Sequence, residues 1–126
     1  MFVINDDKSI YLTRGDIASI DVHANISETE RYAFQPGDVV CLKIVEKKNY
    51  SNIVLEKDVV VTDETFSANI VLTRTDTKIG GIINKPVDYW YEIELNPDTV
   101  PQTFIGHDND GPKIFRLFPE GDDVDV

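Results

Sequence analysis

The nine residues Val87–Leu95 constrain the fold more than any other stretch of this chain. Their odd positions, Val87, Tyr89, Tyr91, Ile93 and Leu95, are all apolar, and their even positions are Asp88, Trp90, Glu92 and Glu94. Successive side chains of a strand point to opposite faces, so this alternation gives one face to a core and the other to water. A strand that is wet on one side belongs to an antiparallel sheet rather than to a parallel sheet buried on both faces. Trp90, the only tryptophan, falls on the acidic face. A large aromatic in that position marks a surface that meets something, because Trp and Tyr are enriched at binding hot spots. Trp90, Asp88, Glu92 and Glu94 are therefore the interface candidates. Cover of Trp90 by a neighbouring loop or by the acidic end of the chain is the competing reading, and sugar stacking is a third.

The same alternation recurs along the chain. Strand-like runs fill residues 2–4, 9–13, 17–24, 39–47, 53–61, 65–72, 100–106 and 113–118. Residues 25–35 read as a loop. Pro36-Gly37-Asp38 reads as a turn, since proline presets φ and glycine supplies a positive φ. In residues 53–61 an apolar face of Ile53, Leu55, Val59 and Val61 is interrupted by Lys57. Phe66, Ala68, Ile70 and Leu72 align on one face of the next run and are expected in the core. Residues 73–79 break the pattern. Asp76 and Thr77 offer capping oxygens and Gly80-Gly81 a stop, which predicts one short helical turn near residues 75–80. The last two runs read as a closing hairpin.

Short strands with turns at roughly 8–12-residue spacing and almost no helical periodicity predict an all-β fold. The expected form is an antiparallel β-sandwich, Ig-like in style. With 126 residues and 41% hydrophobic content, one domain over residues 1–119 can bury a core of its own, followed by an acidic tail at 120–126.

Charge excludes some partners. Twenty-three acidic residues against twelve basic leave a formal net charge of -11. Nucleic acid is not an expected partner, because affinity for it rests on Lys and Arg neutralising phosphates. An anionic membrane surface is excluded on the same ground. Residues 88–126 hold ten of the acids and two bases, net -8. The plain reading is solubility; the sharper one is docking onto a basic partner. No apolar run exceeds four residues, so no spanning helix is expected. The first residues lack the basic and apolar regions of a signal peptide.

Cys41 is the single cysteine, which excludes an internal disulfide, and its apolar neighbours make it a small buried thiol. His107-Asp108-Asn109-Asp110-Gly111 offers oxygen ligands of the kind calcium takes, with Asp108 and Asp110 as metal candidates. The twelve-residue calcium-loop pattern is absent, and Asp-Gly between strands is also a common turn signal. Arg14-Gly15-Asp16 reads as a turn. Asp76, Asp88, Glu92 and Glu94 could serve glycoside hydrolysis as a carboxylate pair, yet neighbours two apart on any solvated strand show the same spacing. No nucleophile, zinc, phosphate-loop or dinucleotide motif is present. No cofactor is expected, and the chain reads as noncatalytic.

Several stretches together resemble a known family. They are Leu12-Thr13-Arg14-Gly15-Asp16-Ile17-Ala18-Ser19-Ile20, Phe34-Gln35-Pro36-Gly37-Asp38-Val39-Val40 and Leu72-Thr73-Arg74-Thr75-Asp76-Thr77. The ending Tyr91-Glu92-Ile93-Glu94-Leu95, with Phe104-Ile105-Gly106 and Gly111-Pro112-Lys113-Ile114-Phe115, belongs with them. Over roughly residues 10–118 the chain is similar to the N-terminal domain of phage baseplate upper proteins and related prophage proteins. These are turn and strand patterns rather than chemical signatures. The resemblance implies a virion component, located in the virion or in the bacterial cytoplasm before assembly. Its partners would be other particle proteins or further copies of itself. A ligand-binding β-sandwich, such as a carbohydrate-binding module, is the alternative. The chain departs from the family in ending after the acidic tail, without a stalk-and-binding region.

Overall fold

A computed structural model of the chain describes residues 1–108 and 111–121. In those residues the strands are β1 (Phe2–Ile4), β2 (Ile10–Thr13), β3 (Ala18–Val22), β4 (Val39–Glu46), β5 (Ile53–Val60), β6 (Ala68–Leu72), β7 (Val87–Leu95), β8 (Gln102–Ile105) and β9 (Lys113–Phe118). One helical turn, α1 (Arg74–Thr77), separates β6 from β7. The fold is all-β, as the alternation predicts.

The larger sheet runs β1-β2-β9-β7-β4-β5, with β8 also paired to β7; β3 and β6 form a second, two-stranded sheet. Cross-strand partners share a face. Leu42 opposes Ile93 and Ile44 opposes Tyr91, Tyr89 opposes Phe115, and Ile10 and Leu12 oppose Phe115 and Leu117. Buried side chains of this face join Ala18, Ile20 and Val22 of β3 and Ala68, Ile70 and Leu72 of β6 in one core. On the other side of the small sheet the Asn69 amide donates to Ser19 Oγ at 2.7 Å and to Asp21 Oδ1 at 2.8 Å, so that face is polar.

Three expectations need correction. The large sheet is mixed, because β2 lies parallel to β9 while the other pairs are antiparallel. Alternation fixes which face a strand buries; it does not fix direction between strands a hundred residues apart. The closing hairpin is absent as well. β8 and β9 pair in succession along one edge of β7, with Leu95 opposite Gln102, Ile93 opposite Ile105 and Tyr91 opposite Lys113. Phe66, expected in the core, is 57% exposed. The Thr65 hydroxyl bonds the Ser67 carbonyl and amide, which bends the chain and delays β6 until Ala68. Phe34, from the stretch read as a loop, fills the core instead, fully buried and edge-on to Tyr32.

The helical turn begins slightly before its expected position. Its cap is Thr73, whose hydroxyl accepts from the Asp76 amide while the Asp76 carboxylate accepts from the Thr73 amide. Asp76 also takes the Lys57 ammonium at 2.9 Å. That contact explains the lysine on the apolar face of β5: it lies on an edge strand and reaches a carboxylate at the rim of the core.

The Pro36-Gly37-Asp38 turn, with Gly37 at φ +93°, is tied to the far end of β7. Asp38 accepts from the Tyr32 hydroxyl at 2.7 Å, the Gln35 amide at 2.8 Å and the Asn96 side chain at 3.1 Å. Asn96 in turn accepts from the Val39 amide at 2.8 Å. Burial works to raise the Asp38 carboxyl, but these hydrogen bonds outweigh it and hold the group below the usual range. The network anchors the start of β4 to the end of β7 and so fixes the register of the sheet centre.

Phe34→Ala should cost about 3–5 kcal/mol, the usual range for emptying a fully buried aromatic site, whereas Phe66→Ala should stay within about 0.5 kcal/mol, as for an exposed side chain. Urea unfolding of the two variants checks the exchange of roles.

Candidate functional site

The outer face of the large sheet carries the four interface candidates. Pairing fixes this placement. Asp88 opposes Arg116 and Trp90 opposes Ile114 on one side of β7; Trp90 opposes Val45, Glu92 opposes Lys43 and Glu94 opposes Cys41 on the other. All four residues therefore share one face, as the alternation requires.

At the centre, Trp90 is half-buried. Tyr50, from the turn between β4 and β5, stacks on it with ring centroids 4.7 Å apart and planes 29° from parallel. Tyr50 itself is 63% exposed. A neighbouring loop therefore covers Trp90 in part, and the covering group is another aromatic ring. Next to the stack, Val45, Glu92, His107 and Pro112 complete a cavity of about 250 Å³.

Toward the start of β7, Arg116 donates from Nε to Asp88 Oδ1 at 2.6 Å and from Nη2 to Oδ2 at 3.1 Å. The fork-to-fork geometry, with the guanidinium also 5.1 Å from the Tyr11 ring centroid, makes a rigid unit. The Arg116 hydrogen bonds hold the Asp88 carboxyl below the usual range, against the opposing effect of burial. Toward the end of β7, Lys43 Nζ lies 3.0 Å from Glu94 Oε1. Glu92 is left beside Glu94. Burial, and then the adjoining Glu94 carboxylate, push the Glu92 carboxyl above its ordinary value.

Arrangements for chemistry are less developed. Asp76 lies away from this face, bound to Lys57 and Thr73, and Asp88 is committed to Arg116, so only Glu92 and Glu94 remain an adjacent carboxylate pair. Asp108 is exposed and accepts from the Lys113 ammonium at 2.9 Å. Its backbone pairs with that of Gly111 through reciprocal hydrogen bonds. Asp110, the other metal candidate, lies outside the described residues, as do residues 122–126 of the expected tail. Arg14 of the Arg14-Gly15-Asp16 turn is buried, with its Nη2 donating to the Gly80 carbonyl at 3.3 Å.

Some features of the face went unread in the sequence. Arg116 carries a signal that could have found it, since it alternates out of phase with Phe115 and Leu117. Tyr50 gave no signal, because it lies in a turn whose course alternation does not describe. Cys41 is buried as expected, but it is on the outer phase of β4, opposite Glu94 and Asp58. Its Sγ is 3.7 Å from Glu56 Oε1, and its ligand atom lies within 4.8 Å of those of Glu56 and Asp58. Burial, followed by those two carboxylates, pushes the thiol far up. With its proton kept in this way, the sulfur is a poor nucleophile as it stands.

Glu92→Gln should stabilise the protein at neutral pH. A carboxyl raised in the folded state contributes stability below its unfolded pKa, about 4.3, and loses that contribution as pH rises through the folded value. The neutral amide removes this loss, so the gain should shrink as pH falls toward the unfolded range. The lowered carboxyls of Asp7, Asp38, Asp76 and Asp88 act in the opposite sense. Their contribution is present above about pH 3.9 and disappears as pH falls through their folded values. Thermal unfolding of both proteins across this range checks both signs. No family model, curated protein or solved structure matches this chain.

Proposed function

We propose that this chain is a noncatalytic structural or assembly module, and that it works through protein–protein contacts on the outer face of β7. The observation that carries the reading is the Tyr50–Trp90 stack, an exposed ring over a half-buried one, flanked on each side by a fixed ion pair. Aromatic anchors within a polar rim are the usual anatomy of a contact surface. The edge of the sheet supports the choice of face. β5 is the outermost strand beyond β4 and carries Glu56, Lys57 and Asp58 at its middle, the charges that blunt strand-to-strand extension.

The resemblance to baseplate upper proteins supplies the setting. The module would belong to a phage or prophage tail or baseplate, in the virion or in the bacterial cytoplasm before assembly, with other particle proteins or further copies of itself as partners. The Ig-like style of the sandwich is part of the same proposal, supported by two sheets facing one core and by a helical turn ahead of β7. No helix among the described residues is long and apolar enough to cross a membrane.

The second reading, a carbohydrate-binding module, draws on the cavity beside Trp90 with Glu92 and His107 at its wall. The stack weighs against it, because two rings that cover each other do not form the flat aromatic row a sugar chain would lie on.

Light scattering on the full chain should show a defined oligomer above 14.3 kDa. Trp90→Ala should leave a folded monomer with association weaker by about 2 kcal/mol or more, and Tyr50→Ala should act in the same direction. A wild-type monomer that binds a glycan would favour the second reading.

A further inference from the structure

A cleft of about 680 Å³ opens at the start of β7, lined among others by Glu46, Lys47 and Lys48 from the end of β4, Lys85 from the approach to β7, and Asp88 and Arg116. Asp88 and Arg116 hold each other through both oxygens and cancel. Three exposed lysines then face one acid, Glu46. Elsewhere Lys43, Lys57, Lys78 and Lys113 each hold a carboxylate. Among the described residues no ion pair forms to Lys47, Lys48 or Lys85. In a chain of net charge -11, the cleft is a local concentration of positive charge without direct neutralisation.

The lining favours carboxylates over phosphate. The guanidinium, the side chain shaped to grip a phosphate on two oxygens, is already taken by Asp88. The lysines stand on flexible stems from two segments, and suit several charges spaced along a short acidic peptide. The sequence contains such a peptide. Asp122, Asp123 and Asp125 place three carboxylates in four residues, the densest acidic stretch of the chain.

We propose that the cleft takes residues 121–126 of a second copy of this chain. The contact is head-to-tail, three ammonium groups against three carboxylates, and continuous with the Trp90 face through Asp88 and Arg116. Propagated, it closes a ring or builds a filament; exchanged reciprocally, it gives a dimer. It rests on the reading of the chain as a contact-making module and names one contact.

The test is light scattering on the full chain at increasing concentration, in low and in high salt. At low salt the mass should rise with concentration, and high salt should return it to one chain, because exposed ion pairs are screened. The triple variant Lys47→Glu, Lys48→Glu, Lys85→Glu should stay monomeric, and so should Asp122→Lys, Asp123→Lys, Asp125→Lys. All six positions are surface or terminal, and circular dichroism establishes that both variants fold. An equimolar mixture of the two should associate again, because the reversed charges meet in trans. A wild-type monomer at every concentration in low salt overturns the proposal, as does a lysine triple with wild-type mass or a mixture that stays monomeric. A salt-insensitive oligomer that Trp90→Ala dissolves would also overturn it, and would leave the proposed function standing.

Discussion

The backbone ladder of β7 is the constraint on which the rest of the structure depends. One nine-residue strand pairs with β4 along one edge and with β9 and then β8 along the other. A slip of one residue in either pairing would send Tyr91, Ile93 and Leu95 to water and Trp90, Glu92 and Glu94 into the core. The Asp38–Asn96 network at one end of the strand and the Asp88–Arg116 fork near the other hold that register. The face that bears Trp90 is thus a consequence of core packing: the same alternation that buries Tyr91 leaves its neighbours outside.

Electrostatics on this face follows from the register rather than from net charge. The chain is strongly acidic, yet Asp88 meets Arg116 directly opposite it on β9, and Glu94 meets Lys43 diagonally across from it on β4. Glu92 is the exception: Lys43 stands opposite it but bonds Glu94 instead, and burial with the adjoining Glu94 disfavours its ionised form. Surface pairs of this kind add little stability singly. Their effect here is geometric: they fix a border of charge around an aromatic centre, which is what a contact surface requires for orientation.

The all-β class and most of the strands were legible in the sequence, for a definite reason. β1, β7 and β9 have the bounds their alternation predicts, and the face of every candidate on β7 follows from period two. Alternation describes the two sides of a strand and is silent on three other matters. It does not give direction, so the parallel pairing of β2 with β9 was out of reach. It does not give partner order, so two runs separated by a turn read as a hairpin although each pairs with β7. It does not follow the chain through turns, which is why Phe34 was missed in the core, Phe66 was misplaced there, and Tyr50 was not foreseen above Trp90. Lys57 shows the reverse case. A break in the apolar pattern was visible in the sequence, but its cause, a carboxylate on the cap of a helical turn nineteen residues onward, needed the three-dimensional arrangement.

On the proposed function, the Trp90 face becomes covered when the protein works. As the single tryptophan, Trp90 reports on that face without labelling. The most direct measurement is its fluorescence, read as emission maximum and acrylamide quenching while protein concentration rises through the range where mass increases. Coverage of the face should give a blue shift and reduced quenching that track the rise in mass. Growth in mass with unchanged emission and quenching would contradict it, because the contact would then lie elsewhere on the molecule.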